Sequence, residues 1–165
     1  MFTLHCTKKL LDRIKPNVEP AKSSTTRLGS WYATALFWKP QMALFVNERT
    51  LLPVLLPLAP ASTLVDRFPT AMKDVLMALD TPTEFIDYEI RNMDEVSYSK
   101  TQNRSVLGIV NQFVYLAEGY RDMEEVWKPL AIALKLSTTP CSPLYKGAVF
   151  PDKALRELVK IGQIQ

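Results

Sequence analysis

The chain has 165 residues, 47% of them hydrophobic and 22% charged, with a net charge of +3. Those values exclude a disordered chain, and with 5 Gly and 2 Cys they exclude a collagen-like repeat and a disulfide scaffold as well. They fit a single globular domain over 1–165, large enough to hide roughly 70% of its unfolded surface.

The first element is a strand. Phe2, Leu4 and Cys6 alternate with Thr3, His5 and Thr7, the period-2 pattern of a half-buried strand. Lys8 to Ile14 then places Leu10, Leu11 and Ile14 on one helical face, with Thr7 as the expected cap. Residues 15–30 are polar and contain Pro16, Pro20 and Gly29; a loop of that length is either mobile or functional. A three-stranded meander is predicted over 31–58, with turns at Lys39-Pro40-Gln41 and Asn47-Glu48-Arg49-Thr50. Pro53 and Pro57 lack a ladder donor and push its third strand to a sheet edge.

From Ser62 the period changes to that of a helix, through Leu64, Phe68, Met72, Val75 and Leu79. Ser62 or Thr63 is its expected cap, and Pro69 should end, kink or restart it. Thr81-Pro82-Thr83-Glu84 reads as a capping box that opens a helix carrying Phe85, Ile86, Ile90 and Met93. Residues 95–101 alternate again as a strand, and Asn103 to Tyr120 carries the clearest apolar helical stripe in the chain. Asp122-Met123-Glu124-Glu125 reads as a second capping box, opening a helix through Val126, Trp127, Leu130 and Leu134 that Pro129 should disturb. Residues 137–151 read as loop with a short strand at 147–150, and Pro151 starts a last helix. This order predicts an α+β fold: one mixed or mostly antiparallel sheet of about four to six strands, with helices packed on one face.

The most specific polar feature is Lys100-Thr101-Gln102-Asn103-Arg104-Ser105, at a strand-to-helix junction. First-turn amides lack intrahelical partners, and two cations and two hydroxyls stand beside them, which suits an anion or phosphate. A capped helix start, with Thr101 or Asn103 as the cap and both cations solvated, explains the same residues. His5 is the only histidine, and it is the candidate catalytic residue, as general base or phosphate contact. Bonding to a neighbouring strand is its structural alternative. Asn47 and Thr50 suit turn chemistry and could also bind ligand. Asn111 lies two helical turns beyond Arg104, either as a polar plug in the core or lining the same pocket. The aromatic set Trp31, Tyr32, Phe37, Trp38 and Phe45 reads as core ahead of a base-stacking platform.

Other chemistry is poorly provided for. Cys6 and Cys141 stand far apart with no CxxC, so reduced buried thiols are expected and no metal site. No P-loop, HExxH, GxSxG or GxGxxG is present, so no cofactor is expected. The N-terminus lacks an apolar signal region and the longest apolar run is broken by prolines, which points to a cytoplasmic location without a membrane span. Residues 1–60 hold eight Lys/Arg against three acids, an asymmetry that can mark an anionic partner.

HCTKKLLDRI (5–14), LFVNERTLL (44–52) and KTQNRSVLG (100–108) together resemble a family of small uncharacterised bacterial proteins defined only as a domain of unknown function. The resemblance covers nearly the whole chain. It implies that the family's characteristic positions fall on His5, Thr7, Lys8, Asn47, Thr50, Lys100, Thr101, Arg104, Ser105, Gly108 and Asn111. Gln112 departs from it, since an acid is usual there. The resemblance implies no activity and no cofactor.

The leading functional expectation is a cytoplasmic binding protein for a phosphate-bearing ligand, nucleic acid included. Lys8, Lys100 and Arg104 would hold the anion, with Asn47, Thr50, Thr101, Ser105 and Asn111 also lining the pocket and His5 within it. One alternative is a small nuclease or phosphotransferase-like enzyme using His5. Another is a protein-interaction module, an immunity or regulatory partner, using the 51–60 edge or the 15–30 loop.

Overall fold

A computed structural model describes residues 1–141 and 150–164. Five strands, β1 (Phe2–Cys6), β2 (Trp31–Leu36), β3 (Met42–Asn47), β4 (Pro53–Pro57) and β5 (Val96–Lys100), form one sheet in the order β4-β3-β2-β1-β5. The helices among the described residues are α1 (Lys8–Ile14), α2 (Leu64–Ala78), α3 (Thr83–Arg91), α4 (Arg104–Met123), α5 (Pro129–Ser137) and α6 (Pro151–Ile164). β1 runs parallel to both β2 and β5, while β2–β3 and β3–β4 are the antiparallel ladders of the expected meander. The sheet is therefore mixed, and the class is α+β.

The helices cover both faces of the sheet, not one. Alternation along the strands divides the buried residues into two clusters. Phe2, Leu4, Cys6, Trp31 and Phe45 face α1, α2, α3 and α6. Tyr32, Leu36, Leu44 and Val46 face α4 and α5. Phe68 of α2 centres the first cluster, stacked on Phe45 with ring centroids 4.2 Å apart and edge-on to Trp31 at 4.9 Å. Removing such a ring from a packed core costs about 3–5 kcal/mol. Sequence periodicity does not separate one covered face from two, because strands buried on both sides lose polar alternation.

Both sheet edges are protected. β4 is an edge strand, as its prolines require, and α5 packs along it with Ala133 in one cluster and Ile132 and Leu136 in the other. At the β5 edge, Val18 bridges to Tyr98 and the Glu19 amide donates to the Tyr98 carbonyl at 2.9 Å. The loop then crosses to the α4 side of β1, where the Thr3 hydroxyl donates to the Lys22 carbonyl at 2.6 Å. It is pinned again where the Arg27 and Leu28 amides each donate to the buried Glu89 carboxylate of α3 at 2.8 Å.

Several helix starts differ from the sequence expectation. The Thr7 hydroxyl does not cap α1; it bonds Thr34 at 2.8 Å. Neither Ser62 nor Thr63 caps α2 by its side chain; Thr63 instead accepts from Arg67, whose guanidinium also reaches the Pro57, Leu58 and Pro60 carbonyls. Pro69 sits inside α2 without ending it. The Thr81–Glu84 box does not form, since α3 begins after Pro82 with no side-chain cap. Asp122 and Met123 complete α4, and Pro129 opens α5 as its first residue, where its missing N–H is harmless. The strand expected over 147–150 lies, but for Phe150, outside the described residues. No helix among those described is long and apolar enough to cross a membrane.

Candidate functional site

β1 and β5 are parallel and in register, with Cys6 opposite Lys100, so both strands end at one edge of the sheet. From β1 the chain turns into α1, whose Leu10 joins the Phe68 cluster. From β5 it turns into α4, on the opposite face. Adjacent parallel strands whose following helices leave to opposite faces frame the crevice where open α/β sheets bind ligands. Five of the sequence candidates follow the ends of these two strands: Lys8 just beyond β1, Lys100 ending β5, and Thr101, Arg104 and Ser105 at the start of α4. Lys8, Lys100, Arg104 and Ser105 are exposed. Among the described residues, no carboxylate pairs with any of the three cations.

His5 forms the inner wall. It is 4% exposed, and its face of β1 is the α4 side. Nδ1 lies 2.9 Å from the Lys100 carbonyl oxygen. A carbonyl only accepts, so Nδ1 carries the proton and the neutral ring keeps its lone pair on Nε2. Nε2 has no hydrogen-bond partner among the described residues. The ring stacks on Tyr32, with centroids 4.6 Å apart and planes inclined at 25°. The Tyr32 hydroxyl in turn accepts the Asn103 amide at 2.9 Å. Burial pushes that phenol up from its ordinary pKa, the Asn103 hydrogen bond opposes this, and the Glu48 carboxylate adds to it. The Thr7–Thr34 hydroxyl pair and buried Ser99 complete a polar strip on this face.

Two amides in the first turn of α4 are already satisfied. Asn103 caps it, its Oδ1 accepting from the Ser105 amide at 2.9 Å and the Val106 amide at 3.2 Å. Two amides expected to hold an anion are thus taken, and anion recognition falls to the Lys8, Lys100 and Arg104 side chains with the Thr101 and Ser105 hydroxyls.

Asn47 and Thr50 are both buried and serve the turn after β3. Asn47 Oδ1 accepts from the Arg49 amide, the Thr50 amide and the Thr50 hydroxyl, while Nδ2 donates to the Leu28 and Ser30 carbonyls. With both polar ends engaged, their role is to fix the turn and tie it to the 15–30 loop. Asn111 shares the exposed face of α4 with Arg104 and is not a core plug. Of the aromatic set, Trp31, Tyr32, Trp38 and Phe45 are buried, while Phe37 is 56% exposed. Both cysteines are free and buried; burial pushes Cys6 up to about 12 and Cys141 to about 11, so neither is a nucleophile near neutral pH. Among the described residues no His/Cys/Asp/Glu group could hold a metal ion. A cleft of about 380 Å³ lies elsewhere, beside Ile14, Val65, Asp66 and Tyr98, and contains none of the candidates.

Thr34 and Ser99 were not singled out by the sequence as site residues, and Tyr32 was read as core ahead of a stacking platform. The signal was available: polar Thr34 shares a strand face with Tyr32, and Ser99 shares one with Ser97. Assigning them to this edge requires the pairing of β1 with both neighbours, which no local pattern contains.

A family model described as a domain of unknown function (DUF6933) matches residues 3–154. No curated protein and no solved structure matches the chain.

Proposed function

Because the chain belongs to the DUF6933 family, whose description names no activity, we propose its function from the site: it is a cytoplasmic binding protein for a phosphate-bearing ligand, with nucleic acid the foremost case. What supports this reading is that Lys8, Lys100 and Arg104, exposed and without carboxylate partners among the described residues, all follow the shared end of two parallel strands. Three unpaired cations at a switch point attract an anion, and the Thr101 and Ser105 hydroxyls add donors. Free, buried thiols suit a reducing compartment.

Binding of a fluorescent single-stranded oligonucleotide tests it. Affinity falls with salt, with a logarithmic slope of about −2 for three neutralised phosphates, and Arg104→Ala reduces that slope by about 0.7. A salt-independent signal, or equal binding by Arg104→Ala, contradicts it.

One observation favours a second reading. A histidine whose Nδ1–H is held by a carbonyl keeps its lone pair on Nε2, the arrangement of a general base. A phosphodiesterase or phosphotransferase-like step at His5 would show as turnover lost in His5→Ala while ligand still binds.

A further inference from the structure

α4 has twenty residues and two internal glycines, Gly108 and Gly119. Glycine weakens a helix interior relative to alanine. Neither position needs it for internal reasons: a Cβ built on either meets nothing within 4 Å. Both are exposed, and they lie on one face with Arg104, Asn111, Tyr115 and Asp122, spaced three or four residues apart. Tyr115 is 76% exposed, an aromatic ring with no cover.

The face is also polarised. Its amino end carries Arg104, with Lys100 just before it; its carboxyl end carries Glu118 and Asp122. Arg104 is unpaired among the described residues, and Asp122 is 67% exposed while touching its neighbour Arg121 at 2.9 Å. Turning the helix end for end about the level of Phe113 exchanges Arg104 with Asp122, Gly108 with Gly119 to within one residue, and Asn111 with Tyr115. The pattern is self-complementary: cation meets acid, glycine meets glycine, and the amide meets the phenol ring.

We propose that this face of α4 pairs with the same face of a second copy of the chain, the two helices antiparallel about a two-fold axis near Phe113. Isologous contacts require such exchange symmetry, and an antiparallel arrangement alone brings the acidic end of one copy onto the cationic end of the other. The glycines then let the backbones approach, and Tyr115 gains the cover it lacks in the monomer. The pairing involves one helix per copy, which places it among small, weak interfaces.

Sedimentation equilibrium of the full chain, from about 10 µM to about 1 mM, covers the range of weak association. The mass is expected to rise from 18.7 kDa toward twice that value. The Gly108→Leu/Gly119→Leu double variant keeps its circular dichroism spectrum and stays monomeric throughout. Asp122→Arg weakens pairing by about tenfold, since each charge contact occurs twice in the dimer. Adding Arg104→Asp to it restores pairing. A wild-type chain that is monomeric over the whole range overturns the proposal. So does a glycine double variant that dimerises like wild type, or a charge reversal without recovery. Arg104 serves both proposals, but no phosphate ligand enters this experiment, so its failure is distinguishable from failure of the anion reading.

Discussion

His5 and Lys100 are joined across two adjacent parallel strands, the imidazole Nδ1 lying 2.9 Å from the Lys100 carbonyl oxygen. That bond fixes the ring and sets its tautomer. It also ties the last residue of β5, where the cationic turn begins, to the centre of the sheet. Nitrogen NMR of the single histidine is expected to show the neutral Nδ1–H tautomer; an Nε2–H ring would contradict the bond as assigned.

Tyr32 connects the same ring to the start of α4, with its face on His5 and its hydroxyl on the Asn103 amide. Tyr32→Phe keeps the stack and loses one acceptor for a partly buried amide. A loss of about 1 kcal/mol in unfolding free energy is expected. Amide exchange at Asn103 should quicken while the core of α4 stays protected. Uniform loss of protection along α4 would show instead that the hydroxyl holds the whole helix.

Asn47 makes five hydrogen bonds from a fully buried position. Asn47→Ala leaves buried amides and carbonyls unpaired and should destabilise by about 3 kcal/mol or more, measured by denaturant unfolding. Asn47→Asp should fare no better, because it points a carboxylate at the Leu28 and Ser30 carbonyls. A near-neutral Asn47→Ala variant would release this residue from the turn and return it to the list of ligand contacts.

Glu89 gives a pH signature. Its carboxyl is buried beneath the 15–30 loop, and burial raises its pKa above the ordinary 4.5, against the opposing Leu28 and Arg27 amides and the Arg27 and Arg49 charges. A raised pKa in the folded state means the folded chain holds this proton more tightly than the unfolded chain. Its stabilising contribution is therefore complete below about pH 4.5 and is lost as pH rises through the folded value. Thermal unfolding of wild type and Glu89→Gln from pH 4 to 8 should show wild type losing ground to the variant as pH rises. A difference that moves the other way would mean the two amide bonds outweigh desolvation.

The fold was legible where one face of an element decides its pattern. Alternation through Phe2–Thr7 and helical spacing through Val106–Ala117 located β1 and α4, and the prolines at 53 and 57 placed β4 at an edge. Of the two caps open for α4, Thr101 and Asn103, the structure uses Asn103. At Thr7 the hydroxyl had a better partner on a distant strand, which no local motif records, and at Thr63 it serves the Arg67 side chain one turn on. The covering of both faces was hidden for a related reason: α1 and α4 show the same amphipathic pattern whichever side they occupy. At the site, Lys100 to Ser105 stood out as a run of polar residues. Tyr32 did not, because a tyrosine in an apolar strand looks like core until β1 supplies the histidine it stacks on.

Phosphate-bearing ligands are proposed to bind at the edge shared by β1 and β5. His5 is the only histidine in the chain, and its ring protons report on that edge without ambiguity. Titrating the protein with inorganic phosphate and with a short oligonucleotide, while following the His5 imidazole resonances at fixed pH, tests the claim most directly. The predicted result is a saturable shift in the wild-type protein, tighter for the oligonucleotide and lost in Lys100→Ala/Arg104→Ala with the fold intact. An imidazole unmoved by either titrant, or one that moves equally in the double variant, would contradict it.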